Sequence, residues 1–116
     1  MSTFYEMRLH ARPFSMIESG KKTIELRLLD EKRQKIRVGD TVRFTQSGND
    51  EKTLLCKVVA LHTFPSFAAL YASLPLEKCG YTQTELPTAN PADMEEYYSK
   101  AEQARYGVVG IEIQVL

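Results

Sequence analysis

The sequence predicts a small α+β protein whose strands form one curved or barrel-like mixed sheet. The length of 116 residues fits a single domain. Apolar residues make up 43% of the chain and charged residues 26%, a composition that can form one core and is unlike that of a disordered chain. Strand-like segments surround short helical ones without a regular βαβ alternation. We therefore expect residues 1–116 to form one domain.

Charge and hydropathy exclude several classes of protein. The formal net charge is zero, so the strongly basic footprint of a tight nonspecific nucleic-acid binder is absent. The charge is uneven, because residues 1–43 carry ten Lys or Arg and only six Asp or Glu, which favours a local basic surface in that part. No run approaches the roughly 18 apolar residues of a membrane span, and the N-terminus lacks a signal-peptide core.

The cysteines and histidines predict neither a disulfide nor a metal site. Cys56 and Cys79 are too few for a disulfide scaffold, so we expect reduced thiols in a cytoplasmic protein. His10 and His62 stand without further ligands at recognisable spacing. No motif indicates a cofactor, and the sequence makes no prediction of oligomeric state.

The first predicted elements are a strand and a short helix that ends at a glycine. Residues 4–9 have a mixed pattern that is compatible with a strand. Pro13 suits the first turn of the helix, and Phe14 and Ile17 give this helix an apolar side. Gly20 stands where a C-terminal cap is expected, since glycine adopts a positive φ without a Cβ clash.

Three further strands are predicted in the middle of the chain. The alternation of apolar and polar residues predicts strands over 22–28 and 41–44. Residues 53–62 are rich in β-branched and aliphatic types, which predicts a long and largely buried strand. The connections are a charged segment at 29–35, a turn at 38–40 and a polar hairpin loop at 46–52.

The remainder of the chain predicts short helices and a final strand. Ser66 suits the N-cap of one helix. Ser99 and Glu102 stand at capping-box spacing at the start of another. Gly107 ends that helix, and residues 108–115 form the last strand. The other segments are a short helical turn at 76–80, a surface loop at 82–91 and a helix at 91–98.

The most distinctive segment runs from Gly20 to Arg27, where a glycine-capped helix leads into a charged strand. Glu25 and Arg27 lie on one face of such a strand, about 6.5–7 Å apart along it. They can bind a polar ligand, since a guanidinium contacts phosphate or carbonyl oxygens and a carboxylate accepts from amino or hydroxyl groups. Lys22 has the opposite parity and joins them only if the strand entry is bent or bulged. The spacing alone favours a simpler interpretation, a solvated strand face with a weak ion pair.

This segment and its surroundings resemble the ASCH domain family. Residues 20–27, Gly-Lys-Lys-Thr-Ile-Glu-Leu-Arg, match the family's GxKxxExR signature at all four defined positions. Further family-like elements occur in the same order along nearly the whole chain, at residues 5–9, 30–33, 38–44, 66–67, 98–99 and 106–108. The resemblance implies a PUA-like fold, which is a small mixed β-barrel with short peripheral helices. It also implies a cleft in which the signature Lys, Glu and Arg are exposed.

The first function that the resemblance implies is an RNA- or nucleotide-binding module. Arg27 would contact phosphate or a base carbonyl, and Glu25 would accept hydrogen bonds from an amino or ribose hydroxyl group. Lys22 would supply a point charge. The expected partner is therefore RNA, or a nucleoside or nucleotide ligand, and no membrane partner is expected.

Three other residues are candidates for ligand binding. Arg8 either extends the basic surface toward phosphates or is a solvated charge. The Ser66 hydroxyl and its helix N-terminus either face an anionic ligand or form an ordinary N-cap, which is the favoured interpretation. Tyr98 either offers a stacking face for a base or packs half-buried against the core.

The resemblance also leaves two catalytic alternatives open. One is a small amidohydrolase acting on acylated nucleosides such as acetylcytidine, with Lys22 and Glu25 as the catalytic residues. That branch has a threonine nucleophile where this chain has Glu25, and Glu77 is the nearest counterpart of its later glutamate. Glu25 would then have to act as a general base toward water, which changes the mechanism. The other alternative is a ribonuclease.

Overall fold

The strands of the computed structural model, which describes residues 3–116, form one mixed sheet. The strands are β1 (Phe4–Leu9), β2 (Ile24–Leu28), β3 (Thr41–Gln46), β4 (Asn49–Phe64) and β5 (Val108–Val115). The α-helices are α1 (Ala11–Glu18), α2 (Phe67–Ser73) and α3 (Lys100–Tyr106). Short 3-10 helices span Arg33–Lys35, Leu76–Cys79, Leu86–Thr88 and Pro91–Glu96.

The sheet has the strand order β1-β3-β4-β5-β2 and curls into a half-barrel. β1 pairs with β3 in parallel, and the other neighbours pair antiparallel. β4 is long enough to pair with β3 through its first half and with β5 through its second. The register shifts between Val58 and Ala60, and such a bulge bends a strand and increases its twist. The prediction of an α+β protein with a curved mixed sheet and short peripheral helices is confirmed.

Two apolar clusters hold the helices against the sheet. The larger one joins α1 to β1, β3, β4 and β5, and its central side chains include Phe14, Phe44 and Ile111, all fully buried. The smaller one joins α2 to β2 and the start of β5, and it includes Phe67 and Leu70. Because β2 presents its apolar residues to the smaller cluster, its charged residues face the other way.

The turn after α1 delivers the chain into β2. Gly20 has φ +82°, a conformation that favours glycine, and its N–H donates to the carbonyl of Ile17. Lys22 N–H donates to the carbonyl of Met16, and Thr23 N–H donates to the carbonyl of Lys78. These two bonds bend the entry of the strand, and β2 begins at Ile24 instead of residue 22. The carbonyl of Thr23 still accepts from the N–H of Ile113 in β5.

The prediction for residues 46–62 is wrong in length and in burial. The expected seven-residue hairpin loop is a two-residue turn, Ser47-Gly48, in which Gly48 has φ +84°. β4 therefore starts at Asn49 and continues to Phe64. Only Cys56 and Val58 of this strand are buried, because its outer face is exposed to solvent. An antiparallel strand with one solvated face can carry aliphatic residues such as Leu55 on that face.

The helical predictions of the second half are confirmed, with one change of type. Ser66 caps α2, and Ser99 and Glu102 form the expected capping box of α3. The segment predicted as a helix over 91–98 is the 3-10 helix Pro91–Glu96. In residues 3–116 none of the helices has the length and apolarity that crossing a bilayer requires.

Candidate functional site

A buried cluster of two cations around one carboxylate lies where β2 begins. Lys22 Nζ lies 2.8 Å from Glu25 Oε1, and Arg27 Nε donates to Glu25 Oε2 at 2.7 Å. The side chains of Lys22, Glu25 and Arg27 are only 11%, 5% and 13% exposed. We call these three residues the Lys–Glu–Arg cluster. The bent strand entry brings Lys22 to the face of Glu25 and Arg27, which strict alternation would not do.

Arg27 also connects the two edges of the sheet. Its Nη2 donates to the backbone carbonyl of Arg8 at 2.8 Å. Arg8 belongs to β1 and Arg27 to β2, the strands at opposite ends of the strand order. The guanidinium can make both contacts because its donors form a planar fork. Arg27 therefore bridges the gap of the half-barrel while it holds Glu25.

The charges of the cluster stabilise each other. Burial by itself would raise the pKa of Glu25, but Lys22 and Arg27 outweigh that effect and hold the pKa below its ordinary value. Burial opposes the charge of Arg27 as well, yet Glu25 and the Tyr98 oxygen raise its pKa. Glu25 is therefore a carboxylate with a cation at each oxygen, and the cluster carries one net positive charge.

The cluster lies beneath a cavity of about 600 Å³. The start of α1 forms one wall, and residues 79–81 and 93–98 form another. Charged and aromatic side chains dominate the lining. Its polar and aromatic members are Arg8, His10, Arg12, Lys22, Glu25, Arg27, Ser47, Tyr71, Tyr81, Glu85, Asp93, Glu96, Tyr97 and Tyr98.

The rim of the cavity carries exposed ion pairs. Arg12 on α1 donates to Glu85 at 2.7 Å, and the pair spans the space between α1 and the segment before Leu86–Thr88. Arg8 donates to Asp50 at 2.9 Å. These side chains are between 38% and 75% exposed, so the pairs contribute little to stability and exchange readily with other partners.

Five of the six predicted ligand-binding residues line this cavity. They are Arg8, Lys22, Glu25, Arg27 and Tyr98. Tyr98 stacks on Phe67, with ring centroids 5.9 Å apart, so it packs against the core and also borders the cavity. Ser66 lies elsewhere. Its hydroxyl accepts from Ala69 N–H as an N-cap, and it lines a separate cavity of about 300 Å³.

The expectation that the signature residues are exposed is wrong. Both faces of β2 are covered, because the charged face supports the cavity wall while the apolar face packs on the smaller cluster. Glu25 is 4% exposed as a residue, which places a carboxylate in the interior. The simpler interpretation of a solvated strand face is wrong for the same reason.

Several lining residues were not found from the sequence. His10, Arg12, Tyr71, Tyr81 and Asp93 come from segments far apart in the chain and form no local motif. The only sequence signal for Arg12 is its position beside Pro13 at the start of α1. No spacing pattern connects Tyr71 with Asp93, since a loop and two 3-10 helices intervene.

The residues of the cavity lining do not suit a metal site or a mechanism with a thiol nucleophile. Among the residues that the structure describes, no group of three or more His, Cys, Asp or Glu side chains could hold a metal ion. Cys79 lines the cavity, but burial raises its pKa to about 11. It therefore remains a protonated thiol near neutral pH, which is a poor nucleophile.

Gly80 lies against the side chain of Lys22, and its replacement tests the geometry of the cluster. Gly80 has φ +109°, and a Cβ atom there would lie 3.2 Å from Lys22 Cδ. We expect Gly80→Ala to lower the free energy of unfolding by about 1–2 kcal/mol and to displace the lysine. Urea unfolding measures the first effect, and the chemical shift of the Lys22 ε-CH₂ group measures the second.

Gly20→Ala is the matched control for this prediction. Gly20 also has a positive φ, but a Cβ atom there meets nothing within 4 Å. The backbone cost should be similar in the two variants, while only Gly80→Ala moves Lys22. Equal Lys22 shifts in both variants would contradict the contact.

A curled mixed sheet with short helices, and a Lys–Glu–Arg cluster beneath a cavity at its open edge, define a PUA-like α+β domain. The family model of the ASCH domain matches residues 7–116, so the chain belongs to the ASCH domain family. A comparison with curated proteins gives no significant match.

Solved structures with the same fold agree with this assignment. The crystal structure of hypothetical protein PH0355 is similar, with 31% identity, a TM-score of 0.80 and coverage of 98% of this chain and 100% of that one. Protein PF0455 from Pyrococcus furiosus, solved by NMR, has 31% identity and a TM-score of 0.71, with 98% of each chain covered. A mutant of ZmASCH from Zymomonas mobilis has 12% identity and a TM-score of 0.65, over 94% of this chain and 66% of that one.

Proposed function

We propose that this ASCH domain binds RNA, or a nucleotide portion of it, in the cavity above the Lys–Glu–Arg cluster. The observation that carries the proposal is the cluster itself, which places one net positive charge beneath a cavity of about 600 Å³. That volume is typical of small-molecule sites and suits a nucleoside or nucleotide. The whole lining is balanced in charge, so the excess positive charge is local to the cluster, where it favours the anionic or carbonyl part of a ligand. The four cations and four carboxylates of the lining are Arg8, Arg12, Lys22, Arg27, Glu25, Glu85, Asp93 and Glu96.

The two cations have the donors that such a ligand needs. A lysine ammonium has three N–H donors, and Lys22 uses one on Glu25. An arginine guanidinium has five, and Arg27 uses one on Glu25 and one on the Arg8 carbonyl. The remaining donors are suited to phosphate or base carbonyl oxygens. Glu25, with a cation on each oxygen, acts in this proposal as the residue that positions both cations.

Aromatic side chains on the wall support a base-binding role. Tyr97 lines the cavity and is 57% exposed, so its side chain is available for contact with a ligand. Stacking on such a ring contributes about 1–3 kcal/mol per base and tolerates any sequence. Tyr98 is less accessible because it stacks on Phe67.

Lys22→Ala tests the proposal, with Lys21→Ala as its matched control. Lys21 is the adjacent residue of the same type, but it is exposed and does not line the cavity. We expect Lys22→Ala to weaken binding of a short single-stranded RNA about tenfold and to reduce the salt slope by about one. Fluorescence anisotropy across a salt titration measures both quantities.

The control decides how the result is read. Lys21→Ala should change affinity by less than about twofold, as expected of a peripheral surface charge. Equal losses in both variants would indicate nonspecific charge attraction instead of binding in the cavity. Undetectable RNA binding by the unmodified protein at low salt would remove the proposal.

The hydrolase alternatives are supported less well. A general base needs an oxygen that can take a proton, and each Glu25 oxygen accepts from a cation that lowers its pKa. Glu77 is exposed and is not among the lining residues. Incubation with acetylcytidine and with RNA, followed by analysis of the products, tests the amidohydrolase and the ribonuclease activities directly.

A further inference from the structure

Three side chains that line the cavity form a chain of hydrogen bonds. Tyr71 on α2 and Tyr81 after the 3-10 helix Leu76–Cys79 bring their hydroxyl oxygens to 2.6 Å, and the rings meet edge to face. Tyr81 then donates to Asp93 Oδ2 at 2.8 Å. All three residues line the cavity. We call them the tyrosine relay.

The direction of the protons in the relay is fixed at Asp93. An ionised carboxylate only accepts hydrogen bonds, so Tyr81 must donate to it. The same Oδ2 also accepts the N–H of Asn90, as part of the capping box that begins the 3-10 helix Pro91–Glu96. Since the single proton of Tyr81 is committed to Asp93, the proton of the 2.6 Å contact must come from Tyr71.

Both tyrosine hydroxyls therefore offer only lone pairs to a third group. Burial, followed by the contacts with Tyr71 and Asp93, raises the pKa of Tyr81, and burial raises that of Tyr71, so both remain protonated at neutral pH. Each proton is already used within the relay. A ligand that meets this wall must bring its own hydrogen-bond donor, because a ligand acceptor would face oxygens that cannot donate.

The Lys–Glu–Arg cluster has the opposite character. Lys22 and Arg27 have donors and no acceptor, and each oxygen of Glu25 already accepts from one of these cations. The cavity thus presents donors from the cluster and acceptors from the tyrosine relay. A complementary ligand has an acceptor group on one side and a donor group on another.

We propose that the cavity selects bases that carry an exocyclic amino group, with the Tyr71–Tyr81 pair as the specificity-determining acceptor. This inference rests on the proposed binding of a nucleotide in the same cavity. The cations of the cluster would bind the phosphate or carbonyl oxygens, and the amino group would donate to a tyrosine oxygen. A base without that group leaves the oxygen unpaired.

Pairs of nucleosides that differ only in the amino group test the proposal. The pairs are adenosine against purine riboside, and cytidine against pyrimidin-2-one riboside. We expect the amino member of each pair to bind the unmodified protein about tenfold more tightly, the effect of one well-placed hydrogen bond to a partner that is otherwise unsatisfied. NMR titration measures the dissociation constants of both members, including weak ones.

Two variants and a control assign the preference to the relay. In Tyr81→Phe the Tyr71 hydroxyl loses its fixed acceptor and can donate or accept. The ratio of the two dissociation constants within each pair should therefore fall toward one. In Tyr71→Phe/Tyr81→Phe it should disappear. Tyr5→Phe is the matched control, because the Tyr5 hydroxyl donates to the Lys35 carbonyl and does not line the cavity. Tyr5→Phe should keep the full preference.

The possible results separate this inference from the proposed function. Equal binding within each pair overturns the inference, and so does an amino preference that survives in the double variant. RNA binding without any binding of adenosine or cytidine also overturns it and leaves the proposed function standing. If neither RNA nor any nucleoside binds, the proposed function fails and the inference fails with it.

Discussion

Replacement of Glu25 by glutamine is expected to lower the free energy of unfolding at pH 7 by about 3 kcal/mol, the low end of what breaking a buried ion pair costs. Glutamine keeps the volume of the side chain, removes its charge and replaces one acceptor oxygen with an NH₂ group, which cannot accept from a cation. Lys22 and Arg27, at 11% and 13% exposure, then face each other without a carboxylate between them. Their repulsion and incomplete solvation are the physical reason for the loss.

Urea unfolding of three proteins measures this effect. Glu51→Gln is the matched control, because Glu51 is an exposed glutamate of β4 and substitutions at such positions change stability by about 0.5 kcal/mol or less. A loss below about 1 kcal/mol in Glu25→Gln would mean that the cations do not depend on Glu25. The ion-pair cluster would then have to be abandoned as the centre of the site.

The same carboxylate predicts how stability depends on pH. The folded-state pKa of Glu25 lies below the ordinary value of 4.5. As the pH falls through 4.5, the unfolded chain takes up a proton at Glu25 while the folded chain does not. The unfolded state therefore binds more protons in this window, and stability decreases as the pH decreases. The contribution is fully present above about pH 4.5 and is lost as the pH falls through the folded-state pKa.

Comparison of the unmodified protein with Glu25→Gln isolates this contribution from that of other acids. The difference in unfolding free energy between them should be constant from pH 7 to pH 5 and should narrow at lower pH. Urea unfolding at half-unit steps of pH measures it. A difference that stays constant or widens down to pH 3 would contradict the direction of the pKa shift.

Replacement of Arg27 by lysine is expected to cost about 2 kcal/mol, the contribution of one hydrogen bond involving a charged group. Lysine keeps the positive charge but lacks the planar fork that reaches Glu25 and the Arg8 carbonyl together. One of these contacts must be lost. Arg37→Lys is the matched control, because Arg37 is exposed and its side chain makes neither contact.

Hydrogen exchange separates the bridging role of Arg27 from its charge. The bond to Arg8 ties β1 to β2 across the open edge of the half-barrel. We expect Arg27→Lys to speed amide exchange in β1, while the amides shared by β4 and β5 remain protected. Unchanged exchange in β1 together with a loss of stability would assign the whole effect to the pair with Glu25.

Local sequence patterns predicted most of the helices and strands. The capping box of Ser99 and Glu102 was predictable because cap contacts act within a single turn. The glycine turn at Gly20 was predictable for a similar reason, since its φ depends on the absence of a Cβ atom. The length of β4 was not, because a polar segment such as Asn49–Lys52 suits either a loop or an exposed strand until its partner β3 is known.

The sequence signature gave the location of the candidate site but not its burial or its contacts. The spacing of Glu25 and Arg27 put them on one face, and the family resemblance made that face a candidate. The spacing did not reveal that the face is buried, nor that Arg27 reaches across to β1. The cover comes from α1 and from residues 79–98, whose positions depend on how far the sheet curls.

The sequence by itself determined the α+β class, the order of the elements and the location of the Lys–Glu–Arg segment. These features depend on side-chain alternation, caps and glycine conformations, which act over a few neighbouring residues. Only the tertiary structure decided that Lys22 and Arg27 share Glu25, and that Tyr71, Tyr81 and Asp93 form a relay with fixed proton direction. Such contacts join residues from separate elements, and their geometry exists only after the curled sheet has packed against its helices.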